Sequence, residues 1–241
     1  MNRLRKWFQS RLANTGQPAS SHLAVEELEA RTVLSAGTLR VASGIILSSE
    51  HFQDFVTQDY LQFLRRTPDP LGLTFWVLQL QRGVAPEIVD AAFVSSGEYI
   101  FNHGNTPTNF ILGLYSDVLG RAPSNVEVNF WLNQLALGVT TARVAQAFTT
   151  SAEREALVIS LDYMRFLGRV PDANGLASWL NLIRLFGANQ ENVEIGIVNS
   201  GEFFQRHGNN NSDFIVGVYQ TVLRRTPSQA EINFWLGVIG P

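Results

Sequence analysis

A chain of 241 residues, 45% apolar, 16% charged and with a formal net charge of −3, has room for one or two domains and a sizeable core. Its 16 phenylalanines argue against disorder, and its lack of cysteine excludes disulfides, a thiol nucleophile and cysteine-held zinc or iron–sulfur clusters. A pI near 5.8 argues against a general nucleic-acid binder, and no apolar run approaches the roughly 18 residues of a transmembrane helix, so no membrane span is expected.

The chain starts basic. Residues 1–20 carry Arg3, Arg5, Lys6 and Arg11 and no acid, whereas acids outnumber bases from residue 37 onward. An ordinary signal peptide is not expected, because Glu26, Glu27, Glu29 and Arg31 interrupt the only apolar candidate. The stretch from Leu23 to Ala36, LAVEELEARTVLSA, resembles the LExLExRxxLSA motif near the start of many planctomycete surface and exported proteins. That resemblance implies export or surface sorting, with residues 1–37 as a flexible basic leader.

A repeat then takes over. YLQFLRRTPD from Tyr60, YSDVLGRAPS from Tyr115, YMRFLGRVPD from Tyr163 and YQTVLRRTPS from Tyr219 align, and Trp76, Trp131, Trp179 and Trp235 follow at a fixed distance. A serine-x-glutamate element recurs around Glu50, Glu98, Glu153 and Glu202. Tyrosine spacings of 55, 48 and 56 alternate, and Ser96–Leu132 matches Ser200–Leu236 at 20 of 37 positions, so a pair of units has been duplicated. Phased as serine-x-glutamate, tyrosine helix, tryptophan helix, four complete units fit. They divide into pairs 38–138 and 139–241, with breaks near Gly83, Gly138 and Gly187.

Each tyrosine segment has helical apolar spacing, as in Phe52, Val56, Tyr60, Phe63 and Leu64. The Arg-x-Pro that follows is expected to stop it. Asp69 and Asp172 are expected to cap the next helix, and Ser124-x-x-Glu127 and Ser228-x-x-Glu231 to form capping boxes. Glycine ends the tryptophan helix, and a further helix begins near Pro86, Thr140 or Asn189. Glutamate and tyrosine are 10 residues apart in odd units and 17 in even ones, where His-Gly-Asn intervenes. Continuous helices are therefore predicted near 49–66 and 152–168, and loops near 103–108 and 207–212. The expected fold is all-α, with four tandem helical units forming one compact repeat body.

At these residues the chain resembles a bacterial repeat family known as domain of unknown function 4214, with a pattern near Y-x-x-[LV]-L-G-R-x-P-D-x-x-G-x-x-[YF]-W, a glycine, then F-x-x-S-x-E. Tyr60, Leu64, Arg66, Pro68, Asp69, Gly72 and Trp76 match it in the first unit, and Tyr163, Gly168, Arg169, Asp172, Gly175 and Trp179 in the third. Units two and four depart, with Ser124 and Ser228 for the aspartate and Glu127 and Glu231 for the glycine. The resemblance implies a helical repeat of surface or secreted proteins, similar to the helical linker domain of phycobilisomes, and no established activity.

Repetition guides the choice of site residues. Arg66, Arg121, Arg169 and Arg225 recur once per unit and are expected to pair internally with the repeated glutamates or with helix-end carbonyls, since a fold requirement repeats where a single site need not. The alternative is a row of anion or glycan contacts. The four tyrosines and four tryptophans read as core. His103 and His207 precede glycine at predicted helix ends, and with Asn105 and Asn209 they are the candidate loop contacts. Asp172-Ala173-Asn174-Gly175 resembles part of a calcium loop but lacks the distal bidentate glutamate, and no metal or cofactor is expected. Common hydrolase, zinc-protease and nucleotide-binding motifs are absent, so no catalytic residues are assigned. The expectation is a non-catalytic, secreted or cell-surface scaffold or adhesion module. It would bind a surface protein or polysaccharide, with self-association as a further option and nucleic acid not a partner. The alternatives are a carbohydrate-active enzyme or accessory domain, and a cytoplasmic scaffold.

Overall fold

The computed structural model describes residues 34–240, so nearly all of the leader and its sorting motif lie outside the described residues. The described residues form α-helices and one π-helical turn, with no strand among them. The all-α, four-unit expectation is met. The chain folds into two compact units, divided at places other than the boundary between the repeat pairs 38–138 and 139–241. One, unit A, comprises residues 47–159 with 189–191, and the other, unit B, comprises 34–46, 160–188 and 192–240 among the described residues.

Unit A begins with α2 (Ser49–Phe63), α3 (Pro70–Gln81), α4 (Pro86–Val94) and α5 (Gly97–Asn102). It continues with α6 (Pro107–Asp117), α7 (Asn125–Ala136), α8 (Thr141–Thr149) and the start of α9 (Ala152–Asp162). Nearly every start is set by a side chain that accepts a hydrogen bond from an otherwise unpaired N–H of the first turn. Ser48, Asp69, Ser96, Thr106, Ser124 and Thr140 all do so, and the Ser124–Glu127 capping box closes as expected. The serine of each serine-x-glutamate element is thus an N-cap, which puts the glutamate in the first turn, at the positive end of the helix dipole. Helix α4 lies across α2 and α3 and packs extensively on α8. Between them lies a core that includes Phe52, Val56, Phe63, Phe93, Phe110, Leu114 and Phe148. Tyr60 meets Phe93 edge-on at 4.9 Å, and Tyr115 meets Phe148 at 4.8 Å.

Helix α9 runs into the π-helical turn Tyr163–Leu167, giving the predicted long helix. Helices α10 (Ala173–Phe186), α11 (Gln190–Val198), α12 (Gly201–Arg206), α13 (Asn211–Val222) and α14 (Gln229–Ile239) complete the order. The predicted loops appear as short breaks at 103–106 and 207–210.

Two expectations are corrected. The chain has a helix upstream of the first serine-x-glutamate, α1 (Ala36–Ile46), which begins inside the segment assigned to the leader. It packs on α13 and α14 as α4 packs on α2 and α3, burying Val41, Ala42, Ile45 and Ile46. The packing unit is therefore tyrosine helix, tryptophan helix and third helix, and the fourth copy takes its third helix from the other end of the chain. Second, the tyrosine helix does not stop because of Arg-x-Pro alone. Arg65, Gly120, Gly168 and Arg224, the same position in each copy, adopt left-handed conformations at φ 59°, 68°, 61° and 54°. The N–H groups of Arg66 and Arg121 then bond back to the Tyr60 and Tyr115 carbonyls, six residues earlier, at 3.3 and 3.1 Å. This left-handed ending, one residue wider than the Schellman motif, is complete before the proline.

Candidate functional site

A tyrosine, an arginine, a glutamate and a tryptophan recur together as one knot. The arginine after the left-handed residue lies over its own tyrosine ring, with Arg66, Arg121 and Arg225 at 4.8 Å and Arg169 at 5.2 Å from the ring centroids of Tyr60, Tyr115, Tyr219 and Tyr163. Arg66, Arg121 and Arg169 also grip a glutamate bidentately through Nε and Nη2. The Nη2–Oε2 distances are 2.8 Å for Arg66–Glu98, 3.0 Å for Arg121–Glu153 and 2.6 Å for Arg169–Glu202. Each partner stands 32 or 33 residues downstream, so it belongs to the next copy in the sequence phasing. From the other side the tryptophan indole N–H donates to the tyrosine hydroxyl, at 3.2 Å for Trp131–Tyr115 and 2.9 Å for Trp179–Tyr163 and Trp235–Tyr219.

The even copies add a second carboxylate that sequence reasoning assigned to capping alone. Glu127 accepts from Arg121 and Glu231 from Arg225, both at 2.7 Å, while each also closes its capping box. The arginine, with the Ser124 or Ser228 backbone N–H and hydroxyl, holds each carboxyl down to about 2. In the odd copies Asp69 and Asp172 lie 3.7 and 3.9 Å from Arg66 and Arg169. These arginines are 37–41% exposed, so solvent screens the pairs and the arrangement chiefly fixes geometry.

The aromatic expectation needs a correction. All four tyrosines are buried, but of the tryptophans only Trp179 is, at 7% exposure. Trp76, Trp131 and Trp235 are half-buried because their helices lie at the surface, and α7 and α14 bury no residue fully. Beside each of the three stands an exposed phenylalanine, Phe75, Phe130 and Phe234, edge-on to the indole at 4.9–5.1 Å. Ser178 takes that place in the third copy.

The candidate loop residues have structural duties. His103 and His207 are the C-cap residues of α5 and α12, their Nδ1 atoms 2.8 Å from the Tyr99 and Phe203 carbonyls. Their rings lie against Gly113 and Gly217, where any Cβ would collide with them. Asn105 and Asn209 make the left-handed turns that follow, at φ 56° and 55°. His103 also faces the Asp117 carboxylate through Nε2 at 3.1 Å, and the Tyr99 hydroxyl donates to the same oxygen.

Sequence reasoning missed a buried acid pair in unit A. Asp59 on α2 and Asp90 on α4 are 5% and 3% exposed and share a hydrogen bond, and Arg154 on α9 donates to Asp90 at 3.2 Å. Burial pushes both carboxyls up. The facing Asp90 raises Asp59 further, while Arg154 and the hydrogen bond with Asp59 offset part of the cost of an ionised Asp90. The only signal was an acid inside an apolar helical face. Among the described residues no group of three or more His, Asp or Glu side chains could hold a metal ion, and no helix is long and apolar enough to cross a membrane.

Repeated helices tied by one tyrosine–arginine–glutamate–tryptophan knot define an all-helical tandem-repeat protein. The chain belongs to the family described as Domain of unknown function (DUF4214), which matches residues 42–105, 91–158, 157–207 and 195–240. The first match opens inside α1 and the last closes with α14, in keeping with the third helix that α1 supplies. No curated protein and no solved structure matches the chain.

Proposed function

We propose that this protein is a non-catalytic scaffold or adhesion module, secreted or held at the cell surface, that binds protein or polysaccharide through the exposed faces of its tryptophan helices. The observation that carries this reading is the repeated exposed pairing of Phe75, Phe130 and Phe234 with a half-buried tryptophan. Exposed aromatics on a regular scaffold serve contact better than stability, because burying them would favour the fold. The repeated charged residues support the same reading, since arginines engage Glu98, Glu153 and Glu202 and leave them committed to the fold rather than to acid–base chemistry. The surface location rests on the motif between Leu23 and Ala36, and the scaffold role accords with the resemblance to the phycobilisome linker domain.

The test is retention of surface extract and of a polysaccharide panel by the immobilised full chain, with light scattering for self-association and mass spectrometry of the mature N-terminus from cells. Retention of one of these, or self-association, lost on replacing the three phenylalanines is the expected result. A chain that binds neither extract, glycan nor itself overturns the proposal.

A further inference from the structure

Three of the four tryptophan helices are uncharged where they are exposed, the exception being α10 with its exposed Arg184. Helix α3 holds no charged residue, and α7 and α14 hold one each, Glu127 and Glu231, both taken up by an arginine and a capping box. On α3 the exposed residues Leu71, Phe75 and Leu78, at 83, 52 and 42% exposure, fall at i, i+4 and i+7 and form one stripe. On α7 Val126 and Phe130 continue through Asn133 to Leu137, with Val126 and Leu137 78 and 79% exposed. On α14 Phe234 is 62% exposed, beside exposed Ala230 and Asn233.

We infer that the partner of these stripes is a second copy of the same chain, joined stripe to stripe; this names the partner within the scaffold reading above and rests on it. Three properties favour a like copy. A neutral face neither repels its twin nor selects an oppositely charged partner. The rim groups on α7 and α14, Asn129, Asn133 and Asn233, each offer donor and acceptor, so identical rims satisfy one another. The size also fits. One stripe leaves on the order of 300 Å² of apolar surface open, so pairing two buries about half of the ~1,200 Å² at the low end of stable interfaces. A single contact is therefore weak, and three similar contacts on one chain make assembly depend on multivalency. A partner that offers the same contact repeatedly is another copy of the repeats.

The experiment uses the full chain in sedimentation and light scattering from about 10 µM to about 1 mM. The comparison is the triple variant Phe75→Ser, Phe130→Ser, Phe234→Ser, which installs the residue that the third copy already carries as Ser178. The wild-type average mass is expected to rise with concentration, and the triple variant to need at least about tenfold more protein for the same mass with unchanged helical circular dichroism. A wild-type chain that stays monomeric throughout, or a folded triple variant that associates as readily, overturns the inference. If the triple variant fails to fold, Phe130→Ser alone decides, with a smaller shift in the same direction expected and no shift overturning it. Monomeric chain that still binds extract or glycan through the three phenylalanines overturns self-pairing and leaves the scaffold reading standing.

Discussion

Units A and B solve one packing problem in two ways. In unit A, Trp76 and Trp131 meet Phe93 and Phe148 at 5.2 and 5.1 Å, and alanine precedes each phenylalanine, Ala92 and Ala147. In unit B, Trp179 and Trp235 press on Gly196 and Gly44, where a Cβ would collide with the indole, and isoleucine follows each glycine, Ile197 and Ile45. A large side chain beside a small one in unit A becomes a medium one beside none in unit B, so volume near the tryptophan is redistributed rather than lost. Polarity follows the same division. The Tyr99–Asp117–His103 network of unit A becomes Phe203, Thr221 and His207 in unit B, where the histidine stacks on Phe203 at 4.0 Å. A repeat thus keeps its backbone and its arginine knot while its interior drifts, because only the backbone must match from copy to copy.

The sharpest way to break this comparison is through the tryptophans. Trp179→Ala, which empties a buried site, is expected to cost about 3–5 kcal/mol in urea unfolding. Trp131→Ala, at a half-buried site, is expected to cost about half as much. Equal losses would show that exposure does not separate the two. A smaller effect concerns the acid pair of unit A. Asp59 has a folded-state pKa raised by burial, so its contribution is fully present below the ordinary carboxylate range and is lost as pH rises through the folded value. Wild-type stability is therefore expected to fall on the alkaline side of that range, and Asp59→Asn to flatten the slope. A slope that survives the substitution would place the proton elsewhere. The smallest expected effect is a gain. Arg224 holds a left-handed conformation that glycine holds in copies two and three, so Arg224→Gly is expected to add up to about 1 kcal/mol, read as a higher thermal midpoint. Arg65→Gly should gain less, because it gives up the Asp117 contact at 3.2 Å.

Much of the fold was legible because it is local. Ser124 and Glu127 close their box within one turn, and His-Gly-Asn breaks the helix at 103–106 where the spacing required it. The left-handed residue was less legible, since Arg65 and Arg224 stand where the family has glycine and so hide the signal. The tryptophans misled because one residue type served a buried place at Trp179 and half-exposed ones at Trp76, Trp131 and Trp235, and neighbours distant in sequence decide between them.

By itself the sequence determined the helices, their caps, the four-fold repeat and the recurring arginine, tyrosine, tryptophan and glutamate, because those follow from contacts within a few residues and from simple recurrence. Tertiary structure alone decided which glutamate each arginine grips, that Asp59 and Asp90 meet, and that α1 completes the last repeat from the far end of the chain. Those facts depend on which helix faces come together, and residues such as Arg40 and Val238, hydrogen-bonded at 3.0 Å across 198 positions, share nothing local that would announce it.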